Sequence, residues 1–328
     1  MTHVDRPSLV APVTPTGTSS ISLRLSVTER CNLACSYCRN RTTTAHKQAL
    51  SRVELTELVL GIHNFVTIRK LRLTGGEPLV RTDLIPLATS LRQQLPYAEL
   101  CLTTNGVLLG RYAFDLARAG VDRINISLDS LDPSRFTTLT GKNAMSEIFS
   151  GIEAARQAGF RRLKINTVLL RSVNAENLVD LVRRAQELDC EVRFIELMPI
   201  GVAAQIFADE FLPCEQAIEM LSQTFTYVGA ANSSDTARRH RFDDGGNEVV
   251  VGFIPSVSRP FCSTCDRIRV DSQGHIYTCL KSRSGVDLVK PLRNNDWPTF
   301  NRQLERVLVA HNGATTGWPL RSMATIGG

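Results

Sequence analysis

No stretch of about 18 consecutive apolar residues occurs in the chain, so the sequence offers no membrane-spanning helix. Residues 1–20 lack a basic segment followed by an apolar one and do not read as a secretory signal. Rich in Pro, Thr and Ser, they read instead as a disordered leader. Charge of one sign is nowhere concentrated: 38 Lys and Arg against 32 Asp and Glu leave a net +6 without a basic block or tail. That excludes the usual footprint of a nucleic-acid binder, while the positive balance suits an anionic ligand. A cytoplasmic location is expected, and 43 % hydrophobic residues over 328 positions suffice for a sizeable core.

Cysteine, in contrast, is abundant. Nine cysteines in such a chain are read as metal ligands or buried thiols rather than disulfides. Cys101, Cys190 and Cys214 stand singly in apolar segments and read as small buried hydrophobes. The other six form two triplets. The first, Cys31-Asn-Leu-Ala-Cys35-Ser-Tyr-Cys38, follows the alternating segment 21–28 and can wrap one soft metal centre, whether iron-sulfur, zinc or copper(I). Three thiolates on a cubane leave one iron open, as a reactive rather than a structural site requires. The alternative is a structural zinc site with a fourth ligand from elsewhere.

From 21 to 198 strand-like and helix-like segments alternate. Strands are expected at 21–28, 70–74, 98–104, 122–129, 162–170 and 191–198, and helices at 51–66, 83–95, 107–119, 144–158 and 175–188. Repeated βα units imply a parallel sheet with helices on its outer face. Strands buried on both faces read as continuous apolar runs, but several of these alternate. Ser22, Arg24, Ser26 and Thr28 share a face; so do Arg72 and Thr74; so do Asn125, Ser127 and Asp129; so do Lys164 and Asn166. A six-stranded sheet curled into an incomplete (βα)6 TIM-like barrel around a solvated cavity accounts for this. Past Met198 the rhythm stops, and a boundary is placed near 200. Residues 200–215 read as loop, 213–225 as helix, 226–248 as a polar hairpin or insertion and 297–311 as helix, forming an extension that closes the barrel mouth.

Leu73-Thr-Gly-Gly-Glu-Pro78 ends the second strand. Its glycines let backbone approach a ligand, and Glu77 can accept hydrogen bonds from an ammonium group. The second triplet is Cys262-Ser-Thr-Cys265, then thirteen residues to Cys279. With His275 it could close a Cys3His zinc site. Yet Arg267 and Arg269 lie two apart on a strand, on one face, where they can clamp an anion.

CxxxCxxC followed one strand later by Gly-Gly-Glu-Pro resembles the radical S-adenosylmethionine (SAM) superfamily. LRLSVTERCNLACSYC, RLTGGEP, TTNG, NISLDSLD, KINTVLL, RFIELMP, FCSTCDRIRVDSQGHIYTCL and a final Gly327-Gly328 narrow the resemblance to the GTP 3′,8-cyclases of molybdenum cofactor biosynthesis, over residues 20–328. The resemblance implies one [4Fe-4S] cluster on Cys31, Cys35 and Cys38 and a second on Cys262, Cys265 and Cys279, with His275 not a ligand. It implies SAM contacts at Tyr37, Gly75, Gly76, Glu77, Ser127 and Met198. GTP contacts fall at Arg24, Arg72, Thr103, Lys164, Arg267 and Arg269, the last two also catalytic, and Gly327 and Gly328 reach into the active site. It further implies an electron donor such as flavodoxin or ferredoxin, a downstream cyclic pyranopterin monophosphate synthase, and allows a homodimer. The chain departs from the family at Arg39-Asn40, Asp235-Thr236-Ala237 and Leu280-Lys281, and no departure removes a ligand. The competing readings are a radical SAM enzyme that modifies peptides and a zinc-stabilised, non-enzymatic nucleotide-binding protein.

Overall fold

The computed structural model describes residues 20–38, 49–231, 236–262, 265–311 and Met323. The expected leader lies outside these residues except for Ser20, which opens β1 (Ser20–Ser26). There follow α1 (Arg52–Phe65), β2 (Thr67–Thr74), α2 (Leu84–Gln94), β3 (Glu99–Thr104), α3 (Leu109–Arg118) and β4 (Arg123–Ser127). Next come α4 (Pro133–Thr140), α5 (Met145–Gln157), β5 (Lys164–Leu169), α6 (Arg171–Asn174), α7 (Leu178–Glu187) and β6 (Glu191–Glu196). Beyond them lie α8 (Ala203–Glu210), α9 (Cys214–Ser222), β7 (Thr226–Ala231), β8 (Arg238–Asp244) and β9 (Asn247–Ile254). The described chain ends with β10 (Arg267–Val270), β11 (His275–Tyr277), β12 (Val286–Asp287), α10 (Val289–Arg293) and α11 (Trp297–His311).

Strands β1 to β6 are parallel neighbours in chain order. Two strands from beyond residue 200 extend the sheet in parallel, β10 beside β1 and β9 beside β6. An antiparallel meander, β7 and β8, continues from β9, and β11 and β12 continue from β10. The sheet is not closed; β12 and β7 are its edges. It is nevertheless strongly curved. Cys31 just past β1, Thr74 of β2, Thr103 of β3, Ser127 of β4, Asn166 of β5 and Ile195 of β6 line one cavity. Six flat strands at about 4.8 Å spacing would spread these positions over roughly 24 Å, so the strand ends meet because the sheet curls.

Alternation in the strands decides which side faces the cavity. Ile21, Leu23 and Leu25 are fully buried under the surrounding helices, while Ser22 and Arg24 point into the half-open interior. Helix α1 starts at a complete capping box, in which the Ser51 hydroxyl accepts from the Glu54 amide and the Glu54 carboxylate accepts from the Ser51 amide. Residues 203–210, expected within a loop, form α8, whose only buried residue is Ala203. Its apolar positions, Ala203, Ile206 and Phe207, span little more than one turn, too short a run to establish a helical period. Helix α4, also absent from the sequence reading, is set by Asp132 at its N-cap, Pro133 in its first turn and Gly141 in the left-handed conformation at its end. Among the described residues no helix is long and apolar enough to cross a membrane.

Candidate active site

The loop of the first triplet starts where β1 ends and is pinned by the Gly-Gly-Glu segment. The amide of Gly76 donates to Thr28 O at 2.8 Å and that of Glu77 to Arg30 O at 2.8 Å. A Cβ on Gly75, whose φ is +150°, would lie 2.4 Å from Thr28 O, and one on Gly76 would lie 2.3 Å from Arg30 O. The close approach that these glycines permit is therefore to the chain's own backbone, immediately before Cys31. Cys31, Cys35 and Cys38 all line the cavity. The Leu33 amide and Asn105 Nδ2 point at Cys31 Sγ, at 3.5 and 3.7 Å. Among the described residues no three His, Cys, Asp or Glu side chains come close enough to grip a single metal ion. Three thiols lining one cavity offer the donor set of a soft metal centre such as an iron-sulfur cluster. Burial, with Cys38, Asp129 and Cys31 nearby, pushes the Cys35 thiol well above its usual pKa, so a metal is needed to hold it as thiolate.

Glu77 is fully buried and accepts from the Leu79 amide (3.0 Å), the Thr104 hydroxyl (2.7 Å) and the Asn105 amide (2.6 Å). These donors tie the end of β2 to the loop after β3, where Asn105 Nδ2 reaches Asn32 Oδ1 at 2.7 Å. Burial outweighs them and raises the Glu77 carboxyl to about 7. Across the cavity the Tyr37 hydroxyl donates to Asp129 Oδ2 at 2.6 Å, and the Val168 amide donates to Asp129 Oδ1 at 2.8 Å. Burial raises Asp129 to about 6 and pushes Tyr37 above the usual phenol range, with the neighbouring carboxylate adding to the latter.

Within the barrel, register assembles cations that are far apart in sequence. Arg269 of β10 is paired with Arg24 of β1, Arg24 with Arg72 of β2, Arg72 with Cys101 of β3 and Cys101 with Arg123 of β4. Four arginines thus occupy one row across five strands, and Arg269 and Arg72 are only 3 % and 9 % exposed. Burial, then Arg269, Arg267 and Arg72, drives the pKa of Arg24 well down. Thr103 accepts from Arg72 Nη1 at 3.4 Å. Lys164 is placed differently. It lies in the next row and pairs with Glu191 at 2.8 Å, a carboxylate that Arg193 (2.6 Å) and Arg239 (3.1 Å) also approach. Asn125 Oδ1 and Asn166 Oδ1 are buried without a hydrogen-bond partner, as expected of a cavity shaped for a polar ligand.

Segments on both sides of β10 and β11 carry the second triplet. The Cys265 amide donates to Cys262 O at 3.3 Å, and the Cys279 amide to Ser282 Oγ at 3.0 Å. Arg267 leans over the Phe261 ring, 5.1 Å from its centroid, and bonds the Thr236 hydroxyl. His275 is directed elsewhere: its Nδ1 lies 3.2 Å from Asp271 Oδ2, and it borders a separate pocket with Leu50 and Asp287.

A radical SAM superfamily model matches residues 25–185, and a Molybdenum Cofactor Synthesis C model matches 190–312. The GTP 3′,8-cyclase of Pseudomonas entomophila is 41 % identical over 291 residues, covering 87 % of this chain and 86 % of the relative. That of Heliobacterium modesticaldum is 36 % identical over 319 residues, covering 93 % and 97 %. The chain belongs to the GTP 3′,8-cyclase family. Among solved structures, Streptococcus suis SuiB bound to its precursor peptide SuiA superposes with a TM-score of 0.65 at 14 % identity, covering 89 % of this chain and 67 % of that one. SuiB bound to S-adenosylmethionine gives a TM-score of 0.64 at 15 % identity, covering 83 % and 64 %. At such identity these likenesses speak for the fold alone, the radical SAM barrel.

In this member of the GTP 3′,8-cyclase family, Tyr37, Gly75, Gly76, Thr103, Ser127 and Met198 line the cavity that holds the first cysteine triplet. Arg24, Arg72, Arg267 and Arg269 gather on β1, β2 and β10. Gly327 and Gly328 lie outside the described residues, but Met323 of the same tail lines the cavity. Sequence reasoning passed over Asn105, Arg123, Arg193 and Glu196, and put Asp129 on a polar strand face without giving it a role. The fully buried Glu196 accepts from the amides of Cys214 (2.9 Å), Val257 (2.9 Å) and Ser258 (2.8 Å) and from the Ser258 hydroxyl (2.5 Å). It joins the end of β6 to the segment leading to Cys262. The RFIELMP and TTNG motifs contain Glu196 and Asn105, and an uncompensated acid or amide inside an apolar run was the available signal.

Proposed function

We propose that this chain is a radical SAM lyase, a GTP 3′,8-cyclase, which converts GTP to (8S)-3′,8-cyclo-7,8-dihydroguanosine 5′-triphosphate for the molybdenum cofactor. The observation that carries this reading is the arginine row in the barrel next to a cavity lined by the CxxxCxxC thiols. A triphosphate requires several fixed cations, and guanidinium groups offer paired donors of the right geometry.

Cys31, Cys35 and Cys38 would hold a [4Fe-4S] cluster, and Tyr37, Gly75, Gly76, Glu77, Ser127 and Met198 would hold SAM beside it. When bound, these would supply a 5′-deoxyadenosyl radical for hydrogen abstraction at C3′ of GTP. Bonding of C3′ to guanine C8 would leave the unpaired electron on the base, to be quenched by one further electron from the external electron donor and a proton. Arg24, Arg72, Thr103, Lys164, Arg267 and Arg269 fix the triphosphate, and with it the distance between C3′ and the SAM pocket. Cys262, Cys265 and Cys279 are assigned a second [4Fe-4S] cluster facing the guanine. Its support is the turns that carry these cysteines, closed by the Cys265 amide on Cys262 O and the Cys279 amide on Ser282 Oγ, and a His275 already engaged by Asp271. Gly327 and Gly328 are assigned to the active site on the strength of Met323, which lines it. A flavodoxin or ferredoxin as electron donor, cyclic pyranopterin monophosphate synthase as the next enzyme, a homodimer and a cytoplasmic location complete the proposal.

Anaerobic reconstitution with iron and sulfide, iron counting and a GTP titration followed by electron paramagnetic resonance test it. About eight irons per chain, with GTP altering one cluster's spectrum, support the cyclase reading. Four irons with one zinc, and a spectrum indifferent to GTP, would sink it.

A further inference from the structure

His311 is the last residue of α11, and its ring spans the two segments that bear the second triplet. Nε2 lies 2.6 Å from the carbonyl oxygen of Cys265, and Nδ1 lies 2.9 Å from that of Thr278, the residue before Cys279. Each ring nitrogen lies within hydrogen-bond reach of a carbonyl oxygen, one on each segment. The sites it joins are distant in sequence, 46 and 33 residues away. Packing of α11 fixes where the ring sits. Helix α11 is 15 residues long, about 22 Å, and is packed through Phe300, Leu304, Val307 and Leu308. At its start Phe300 and Trp297 press on Gly61 of α1, where an added Cβ would lie 2.9 Å from the Phe300 ring. The helix therefore delivers the imidazole from a barrel-anchored base to the gap between the two ligand-bearing segments.

We infer that His311 is a positioning residue for the second cluster. It holds the Cys265 and Thr278–Cys279 backbones at the separation at which their thiolates, with that of Cys262, can share one cubane. Partners of ligand-bearing groups set ligand orientation and, when removed, weaken metal binding by roughly 10- to 100-fold. This inference rests on the assignment of Cys262, Cys265 and Cys279 as cluster ligands. Both hydrogen-bond partners of the ring lie on the second triplet's segments, so its loss acts on that cluster.

The full chain, reconstituted anaerobically, is exposed to an iron chelator as wild type, His311→Ala and His311→Gln, and the iron that remains is followed with time. In the wild type about eight irons are retained. In His311→Ala about half of the iron is expected to leave roughly tenfold faster or more, together with the GTP-dependent resonance change, while SAM cleavage without GTP continues at the wild-type rate. His311→Gln, which keeps N–H donors at a similar reach, is expected to fall between the two. If His311→Ala does not fold, His311→Gln alone decides: faster loss of half of the iron supports the inference, and wild-type retention overturns it. Equal retention in all three proteins at eight irons overturns the role of His311 and leaves the second cluster intact. A wild type that holds only four irons removes the cluster itself, and the inference with it.

Discussion

Arg24 and Arg269 stand opposite each other in register on neighbouring parallel strands, with Arg72 in register on the far side of Arg24. Their mutual repulsion in a desolvated interior is relieved by an anion. Arg24→Ala and Arg269→Ala are each expected to weaken GTP binding by roughly 10- to 100-fold, the worth of a charged hydrogen bond. SAM cleavage without GTP should persist in both. Anaerobic calorimetry reads the first effect and 5′-deoxyadenosine release the second; undiminished GTP affinity would contradict the assignment.

Gly76 is a sharper probe of the first cluster. An alanine Cβ would lie 2.3 Å from Arg30 O and 2.6 Å from Glu29 O, atoms that cannot move without moving Cys31. Gly76→Ala is expected to lose the iron of the first triplet and all SAM cleavage while the GTP-responsive resonance remains. An alanine variant with full iron content would show that the loop tolerates displacement.

Glu77 links stability to pH. Its carboxyl is raised from the usual 4.5 to about 7 by burial, so the folded chain binds a proton that the unfolded chain releases between these values. The stabilisation is complete below about 4.5 and is lost as pH rises through about 7. The difference corresponds to roughly 3 kcal/mol. In the metal-free protein, denaturation curves for wild type and Glu77→Gln should therefore diverge as pH rises from about 5 to 8, the wild type losing more stability. Parallel curves would mean that the carboxyl titrates normally.

Glu196 is a structural hinge between the SAM side and the second triplet. Glu196→Gln would turn an amide nitrogen toward the donors at Val257, Ser258 or Cys214, costing about 2–4 kcal/mol. Urea denaturation should show a lower midpoint at an unchanged slope, and an unchanged midpoint would show that the network rearranges freely.

Much of this site was legible in the chain. Period-two alternation placed Arg24, Arg72, Ser127 and Lys164 on inward faces, because a strand's side chains have no other option. Register between strands has no such signature. Arg123 opens β4 beside a turn, and only its pairing with Cys101 adds it to the row. Glu191, which pairs with Lys164, likewise comes from the first position of the next strand. Asp129 lies two residues past β4 and acquires meaning through Tyr37, 92 positions away. His311 reads as an ordinary helix end until the fold brings Cys265 and Thr278 to it. The strands β9 and β10, expected within an extension, proved to be parallel members of the same sheet; that arrangement puts Arg267 and Arg269 beside Arg24.

The most direct test of the account is a single anaerobic turnover of the reconstituted chain with SAM, a reductant and GTP deuterated at C3′. The account predicts deuterium in the 5′-deoxyadenosine together with a 3′,8-cyclised nucleoside triphosphate. Unlabelled 5′-deoxyadenosine and unconsumed GTP, from a protein with full iron content, would contradict it.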